Sequence, residues 1–334
     1  MPELVIRPVD PYDDADMDAF QEVYASAERA EDPGAHLYSR EDGISLLTST
    51  EAGRFNEGIG AFQGDLMVGE AMLAGSRIDN LDNVRIWVWV APDHARQGIG
   101  AALVAHAEQR ARDLGRSVAH AQARIGADGT HGAGRFAERL GYTVANREVE
   151  RRLPLPPDLD LVERLAAEAA PHHADYRIRT VVGPVPAELV ESYAELKNLM
   201  NTQMPQGDLQ VEAGRETAAE ITAQDRQHTE SGRVRVSAYA LDHDGTVVGY
   251  AMGSVTGDGY DHVDQSGTLV HPAHRGHRLG MAVKCAQLRE LADAFPAKRF
   301  VETTNAETNA PMVAINEALG FRVHQVWGDF QKRL

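Results

Sequence analysis

The stretch His271-Pro-Ala-His-Arg-Gly-His-Arg-Leu-Gly280 decides how this chain is read, because a relative of it, Ala91-Pro-Asp-His-Ala-Arg-Gln-Gly-Ile-Gly100, stands earlier in the sequence. Gly69, Pro92, His94 and Gly100 recur as Gly249, Pro272, His274 and Gly280, a constant offset of 180, and Leu140-Gly-Tyr142 recurs as Leu319-Gly-Phe321 at 179. A fixed period this long signals two whole domains of one fold rather than a solenoid. Each copy is expected to carry its own version of one site.

Outward from the two stretches the element order repeats. In the first copy Glu3 to Arg7 reads as a strand, Asp13 to Ala30 and Arg40 to Thr48 as helices, and Gly58 to Gln63, Leu66 to Ala74 and Val84 to Val90 as strands. Gly64-Asp65 marks a hairpin. Ile99, Leu103, Ala107, Ala111 and Leu114 recur at helical spacing; Val118 to Ala123 reads as a strand, Gly132 to Leu140 as a helix and Thr143 to Arg152 as a closing strand. Leu153-Pro-Leu-Pro-Pro157 breaks regular structure, and Leu161 to Ala170 reads as a connecting helix.

The second copy gives strands at Arg177 to Val182, Val234 to Leu241, Thr246 to Val255, Asp261 to Val270, Arg299 to Thr304 and Val323 to Gln331. Its helices are Ala187 to Met200, Glu216 to Glu230, Leu279 to Ala292 and Ala310 to Ala318, with Asp244-Gly245 as the hairpin turn. The implied class is α+β, a mostly antiparallel sheet flanked by helices in each copy. The expected domains are residues 1–153 and 176–334, with 154–175 as a linker carrying one helix.

The totals agree with this division. A chain of 334 residues suits two domains that each bury a core unaided. A net charge of -17 argues against general nucleic-acid binding and for a cationic partner, if the acidity is not simply a solubility device. The single cysteine, Cys285, excludes an internal disulfide framework and a cysteine metal cluster, and no metal is expected. No stretch reaches an apolar membrane-spanning length, so a soluble, cytoplasmic protein without membrane contact is expected. The tandem pair makes a monomer the default, with a dimer as the alternative.

A strand that runs into a short loop bearing arginine and glycine and then opens a helix presents backbone N–H groups at the positive helix end, an anion cradle. The helix dipole is worth only about 0.3 to 1 kcal/mol when exposed, so charge-assisted hydrogen bonds of about 1.5 to 3 kcal/mol each are expected to supplement it. Arg275, His277 and Arg278 in the second copy, and Arg96 and Gln97 in the first, are placed to supply them. A dinucleotide-binding site is the competing reading. It fails because the three-glycine fingerprint and an acidic residue about 20 positions on, within a βαβ unit, are absent.

With Thr268-Leu-Val270 before Pro272, the loop Arg275-Gly-His-Arg-Leu-Gly280, and Asn305-Ala-Glu-Thr-Asn309 through Leu319-Gly-Phe321, the sequence resembles the GNAT superfamily of acyl-CoA-dependent N-acetyltransferases, in tandem over nearly the whole chain. The family pattern has arginine or glutamine, two residues, glycine, one residue, then glycine or alanine. The second copy keeps Arg275 and Gly280 but has Arg278 at the first glycine; the first keeps Gly98 and Gly100 but has Ala95 at the leading position. The resemblance implies that the amides of Arg275, Gly276, His277, Arg278, Leu279 and Gly280, and of Arg96, Gln97, Gly98, Ile99 and Gly100, hold the coenzyme pyrophosphate of acetyl-CoA. It implies that backbone at Leu269 and Val270, with Val90 in the first copy, pairs with the pantetheine arm, and that Asn305 and Asn309 line the cofactor region. Asn309 also suits the cap of the helix that follows.

The resemblance makes the second copy the expected active site, because the first has Thr130 in place of Asn309 and lacks Thr303-Thr-Asn305. The first copy is then a decayed domain, or one that still binds coenzyme. Attack by an amine needs its neutral form, whereas an alkylamine with a pKa near 10.4 is mostly protonated, so a base is expected. Asp264 and then His262 are the candidates; by strand alternation they share one face. Solvated polar residues at the start of a strand are the plain alternative. The family's frequent tyrosine acid is replaced by Asn316 and, in the first copy, Ala137, leaving Tyr260, Tyr250 or water to protonate the thiolate. Met200, Asn201 and Met204 in the segment joining the first two helices are expected to face a small-molecule amine, with an ordinary inter-helix loop as the alternative reading. Two other functions compete: a non-catalytic acyl-CoA-binding or sensing protein, and decarboxylation or hydrolysis of an acyl-CoA on the same scaffold.

Overall fold

The computed structural model describes residues 3–33, 35, 37–48, 53–126, 131–203, 216–256 and 261–334, the side chains of 201–203 excepted. By compactness the described residues form two units. Unit 1 holds the residues up to Asn146 together with Gly328–Leu334, and unit 2 holds the residues from Arg147 to Trp327.

Unit 1 contains β1 (Leu4–Pro8), α1 (Asp14–Glu31), α2 (Arg40–Thr48), β2 (Arg54–Gln63), β3 (Leu66–Ser76), β4 (Asn83–Val90), α3 (Ile99–Asp113), β5 (Val118–Arg124), α4 (Gly132–Arg139) and the start of β6 (Thr143–Pro154). Unit 2 contains the rest of β6, α5 (Leu159–Ala169), β7 (Arg177–Val182), α6 (Val190–Gln203), α7 (Ala218–Glu230), β8 (Val234–Leu241), β9 (Val247–Val255), β10 (His262–Val270), α8 (Leu279–Ala294), β11 (Phe300–Ala306), α9 (Ala310–Ala318) and the start of β12 (Arg322–Arg333). The α+β class read from the periodicity is the class observed. Gly64 and Gly245 both take positive φ at the two hairpins, where a side chain would be strained.

Each unit has one run of antiparallel strands and one parallel pair. In unit 1 the order is β1-β2-β3-β4-β5, and the end of β12 lies beside β5, with Leu334 N donating to Ser117 O at 2.9 Å. In unit 2 the order is β7-β8-β9-β10-β11, completed by Arg147–Pro154 of β6, which run antiparallel to β11 from Phe300↔Pro154 to Ala306↔Glu148. The last strand of each sequence copy thus crosses from the sheet in which its copy begins.

Helices cover both faces of each sheet. In unit 1, Met17, Phe20 and Val23 of α1 close over Phe62 and Met67, while on the opposite face a Cβ at Gly69 would meet Ile99 and Leu103 of α3. In unit 2, Leu189, Tyr193 and Ile221 pack with Tyr239, Tyr250 and Leu269 on one face, and Cys285, Leu288 and Leu291 of α8 pack with Val236, Val263 and Val301 on the other. Val162, Leu165 and Ala166 of α5 join that second cluster, so the helix that reads as a connector is core. Burying each such side chain contributes about 1.5 to 3 kcal/mol.

Candidate functional site

In unit 2, β10 and β11 are parallel partners only from His262↔Phe300 to Asp264↔Glu302. Beyond that rung they part, so the edge of β10 from Gln265 to Val270 that faces β11 has no ladder partner among the described residues. The other edge stays paired with β9, interrupted by a bulge between Gln265 and Gly267. Unit 1 does the same: β4 and β5 pair from Asn83↔Val118 to Arg85↔His120 and then separate. Each unit therefore offers an open, strand-like edge that an extended amide-bearing chain can complete by main-chain hydrogen bonds.

The open edge leads to the quoted loop. Pro272–His274 form a single 3-10 turn, Gly276 has φ 90 and Arg278 has φ 50, and α8 starts with no side-chain cap. In unit 1, Pro92–His94 form the same turn, Arg96 has φ 64, Gly98 has φ 86, and α3 likewise starts uncapped. The backbone is left-handed at the same two positions in both units, with arginine and glycine exchanged. A left-handed non-glycine residue costs about 1 to 2 kcal/mol, yet both loops keep one. Uncapped first-turn N–H groups at the positive end of a helix are suited to an anion. Gly280 and Gly100 let the following helix pack close to the helix start: a Cβ there would meet Ile315 of α9 at 3.1 Å and Phe136 of α4 at 3.3 Å.

The loop side chains divide by partner. Arg275 and Arg278 are exposed, as are Gly276 and His277, whereas Leu279 and Gly280 are buried. Arg278 Nη1 donates to Glu168 O at 3.3 Å, and His277 Nδ1 lies 3.2 Å from His172 O, so that nitrogen carries the proton. Both carbonyls belong to the end of α5 and the turn after it, where cations are favoured. Tyr176 stands beside them, its hydroxyl 3.0 Å from His274 Nδ1. Arg96 and Gln97 in unit 1 are exposed, and Ile99 is buried.

Two polar atoms on β10, Gln265 Oε1 and Thr268 Oγ1, are buried without a hydrogen-bond partner among the described residues. Gln265 Nε2 donates to Met252 O of β9 at 2.8 Å, so that side chain lies toward the paired edge. A peptide-like arm ending in a phosphate-bearing group fits the rest of this set: unpaired strand-edge groups for the arm, and helix-start amides for the phosphates. These are the features that coenzyme A presents.

His262 and Asp264 meet: Nε2 lies 3.2 Å from Asp264 Oδ1. His262 is buried and stacks on Phe300 at 5.3 Å, whereas Asp264 is exposed. On the same face Arg152 donates to Glu302 at 2.7 Å and lies over Phe300, and Glu150 accepts from Trp327 Nε1 at 2.9 Å. Burial, and then the neighbouring Glu302, push the Glu150 carboxyl up to about 7. Glu150 arrives on β6, from the first sequence copy, and sequence adjacency gave no sign of it.

The remaining candidates are more scattered. Met200 touches the face near the opening: its Cε lies 2.8 Å from where Gly267 would carry a Cβ, and Tyr250 Oη donates to its sulfur at 3.6 Å. Tyr250 is buried, and burial raises its phenol well above the ordinary value, which keeps its proton in place. Met204 and Tyr260 lie outside the described residues, as does the side chain of Asn201. Asn309 is the residue before α9 but makes no side-chain cap bond. Its ψ of 63 departs from the extended backbone, such as ψ 162 at the capping Thr217, that turns a side chain over the first helical turn. Asn305 is held by Asn316, whose Nδ2 donates to Asn305 Oδ1 at 2.7 Å, and Asn316 accepts from Lys284 Nζ at 2.6 Å. Burial pulls the Lys284 ammonium down to about 7. A lysine between Val283 and Cys285 on the core face of a helix was a signal the sequence offered.

No helix among the described residues is long and apolar enough to cross a membrane. The acetyltransferase (GNAT) family matches residues 17–142 and 194–321. A tandem GNAT protein from the clavulanic acid biosynthesis pathway is 25% identical, with a TM-score of 0.79 over 99% of this chain and 98% of that one. A GCN5-related N-acetyltransferase of Sphaerobacter thermophilus is 16% identical, with a TM-score of 0.65 over 99% and 95%. Another, from Kribbella flavida, is 14% identical with a TM-score of 0.50 over 99% and 71%. The last two share the fold alone, and among curated proteins none matches in sequence. The open strand edge, the uncapped helix start and a family match in each half converge: the chain belongs to the acetyltransferase (GNAT) family in tandem form, a family whose general chemistry is acyl transfer from an acyl-CoA.

Proposed function

We propose that unit 2 transfers an acetyl group from acetyl-CoA to the amine of a small molecule, by direct attack in a ternary complex. The observation that carries this reading is the third rung of the parallel ladder. In unit 2 it is Asp264, a proton acceptor paired with His262; in unit 1 it is Arg85, which accepts no proton at neutral pH. Both units keep the open edge and the uncapped helix start, so coenzyme binding alone does not separate them.

In this reading the amine nitrogen attacks the thioester carbonyl carbon, a C–N bond forms and the C–S bond breaks. The ammonium proton leaves through Asp264, directly or through water, with His262 holding that carboxylate. The coenzyme thiolate departs and takes a proton from water. The exposed carboxylate of Asp264 favours a cationic acceptor, in keeping with the net charge of -17; Glu302 and Glu150 on the same face are already met by Arg152. A second phosphate-holding loop in unit 1 gives it coenzyme binding without turnover.

The test is calorimetric titration with acetyl-CoA, followed by thiol release with and without an amine panel. Release that depends on added amine supports the proposal. Binding without release in any amine makes the protein an acyl-CoA binder, and release without an acceptor makes it a hydrolase or decarboxylase. Either outcome overturns the proposal.

A further inference from the structure

In the core between α8 and α9, unit 2 buries a polar pair at positions where unit 1 buries apolar side chains. Lys284 on α8 and Asn316 on α9 are both 0% exposed. Lys284 Nζ donates to Asn316 Oδ1 at 2.6 Å and sits 4.7 Å from the centre of the Phe321 ring. Asn316 Nδ2 donates onward to Asn305 Oδ1 at 2.7 Å. At the corresponding positions of α3 and α4, by the offsets of 180 and 179, unit 1 has Val104 and Ala137, both buried. The fold therefore closes at this place with apolar side chains. A buried polar chain is costly unless every member is satisfied, so its presence in one copy alone calls for a reason other than closure.

The reason lies in direction. Lys284 Nζ donates to Asn316 Oδ1, and an amine donates N–H in its charged and its neutral form, so it holds the carbonyl end of Asn316 toward itself and turns the Asn316 amide toward Asn305. Asn305 must then offer Oδ1 inward. The two ends of an amide differ little in shape and wholly in what they donate, and here the lysine decides which end points where. Both N–H donors of Asn305 are left pointing away from the chain, and they donate to none of the described residues. Asn305 lies on β11 beyond Glu302, the last residue paired with β10, on the part of the strand that borders the opening. It is half-buried, and two-residue alternation places it on the α8 face with Val301.

We propose that Lys284 and Asn316 are positioning residues that lock Asn305 with its amide N–H toward the opening between β10 and β11, where it donates to a carbonyl of the pantetheine arm. This rests on the reading of unit 2 as an acyl-CoA site. It adds a device: the core selects the polarity of a cofactor-facing amide, and unit 1 lacks the device.

The experiment is acetyl-CoA titration of the full chain in four forms: unchanged, Asn305→Ala, the pair Lys284→Val with Asn316→Ala, and all three together. Asn305→Ala is expected to weaken the unit 2 site about fivefold to tenfold, one lost hydrogen bond. The pair installs the residues unit 1 uses, so its melting temperature is expected to stay at or above that of the unchanged protein while affinity falls by the same factor. The triple variant is expected to bind no more weakly than Asn305→Ala. Should the pair fail to fold, Asn316→Asp keeps the shape and the lysine partner but cannot donate to Asn305, and is expected to lose the same factor. Unchanged affinity in the pair or in Asn316→Asp, beside a loss in Asn305→Ala, overturns the lock and leaves the acyl-CoA reading standing; so does a triple loss equal to the product of the two. Absence of acetyl-CoA binding in the unchanged protein overturns both.

Discussion

The two helix-opening loops hold one backbone with two residues exchanged. Unit 1 puts Arg96 and Gly98 at its left-handed positions, and unit 2 puts Gly276 and Arg278 there. The loop conformation thus survives the loss of either glycine, which shows that the helix start and the 3-10 turn impose it rather than the local residue. What differs is which position can carry a guanidinium. In unit 2 that guanidinium reaches back to the Glu168 carbonyl, tying the loop to α5. Below the loop the copies diverge more: Asp264 against Arg85 on the ladder, and Lys284 with Asn316 against Val104 with Ala137 in the core.

The sharpest way to break this contrast is Asp264→Asn. A base typically contributes about 10² to 10⁴ in rate, so turnover is expected to fall by at least 100-fold, roughly 3 kcal/mol, with acetyl-CoA affinity unchanged and the acidic limb of the kcat profile altered. A wild-type profile would return both units to equal standing.

Next in size is Gly280→Glu beside Gly100→Glu. A side chain at Gly280 presses on Ile315 and puts a carboxylate in the first turn of α8, where it repels an anion at the helix start, so about a 100-fold loss of acetyl-CoA binding is expected at unit 2. Gly100→Glu is expected to remove only a second, unit 1 site from the titration and to leave turnover unchanged. Loss of turnover in Gly100→Glu would reverse the assignment of roles.

Smaller effects test the exchanged loop positions. Neither Gly98 nor Gly276 has a neighbour within 4 Å of an added Cβ, so only the dihedral opposes a side chain. Alanine at either is expected to destabilise its unit by about 1 to 2 kcal/mol, read by denaturant midpoint. Arg96→Gly is expected to stabilise unit 1 by up to about 1 kcal/mol. Arg278→Gly should show less gain because it also loses the bond to Glu168. Equal gains would mean that this bond contributes nothing.

Glu70 of unit 1 stands where unit 2 has Tyr250. Glu70 is buried, Oε2 has no partner among the described residues, and burial holds its carboxyl well above the ordinary range. The folded protein keeps this proton at pH values where the unfolded chain has lost it, so stability falls as pH rises above about 4.5. Glu70→Gln is expected to be more stable than the unchanged protein at neutral pH and no different near pH 3. An equal pH slope in both forms would show that the carboxyl is solvated in unit 1.

The secondary structure was legible because its causes are local. Arg40–Thr48, Arg177–Val182, Val234–Leu241 and Ala310–Ala318 are observed over the spans that periodicity and turn residues predict. The loop was legible too, since proline, glycine and arginine at fixed spacing constrain a backbone within a few residues. Residue type makes Asn309 a cap candidate, yet it makes no cap bond because capping needs a ψ that the preceding loop does not supply. Glu150 is not legible in the sequence because sequence order places its strand with the first copy, whereas its partner, β11, lies 150 residues away at the Arg152↔Glu302 rung.

By itself the sequence determined the duplication, the element order, the α+β class and the two helix-opening loops, because offsets, alternation and turn chemistry are properties of residues near one another along the chain. Only the tertiary structure decided which strands leave an edge open, which copy's terminal strand completes which sheet, and which end of the Asn305 amide faces outward. Those depend on hydrogen bonds between residues far apart in sequence, such as Lys284 with Asn316 and β11 with β6, where pairing is settled by burial and register rather than by composition.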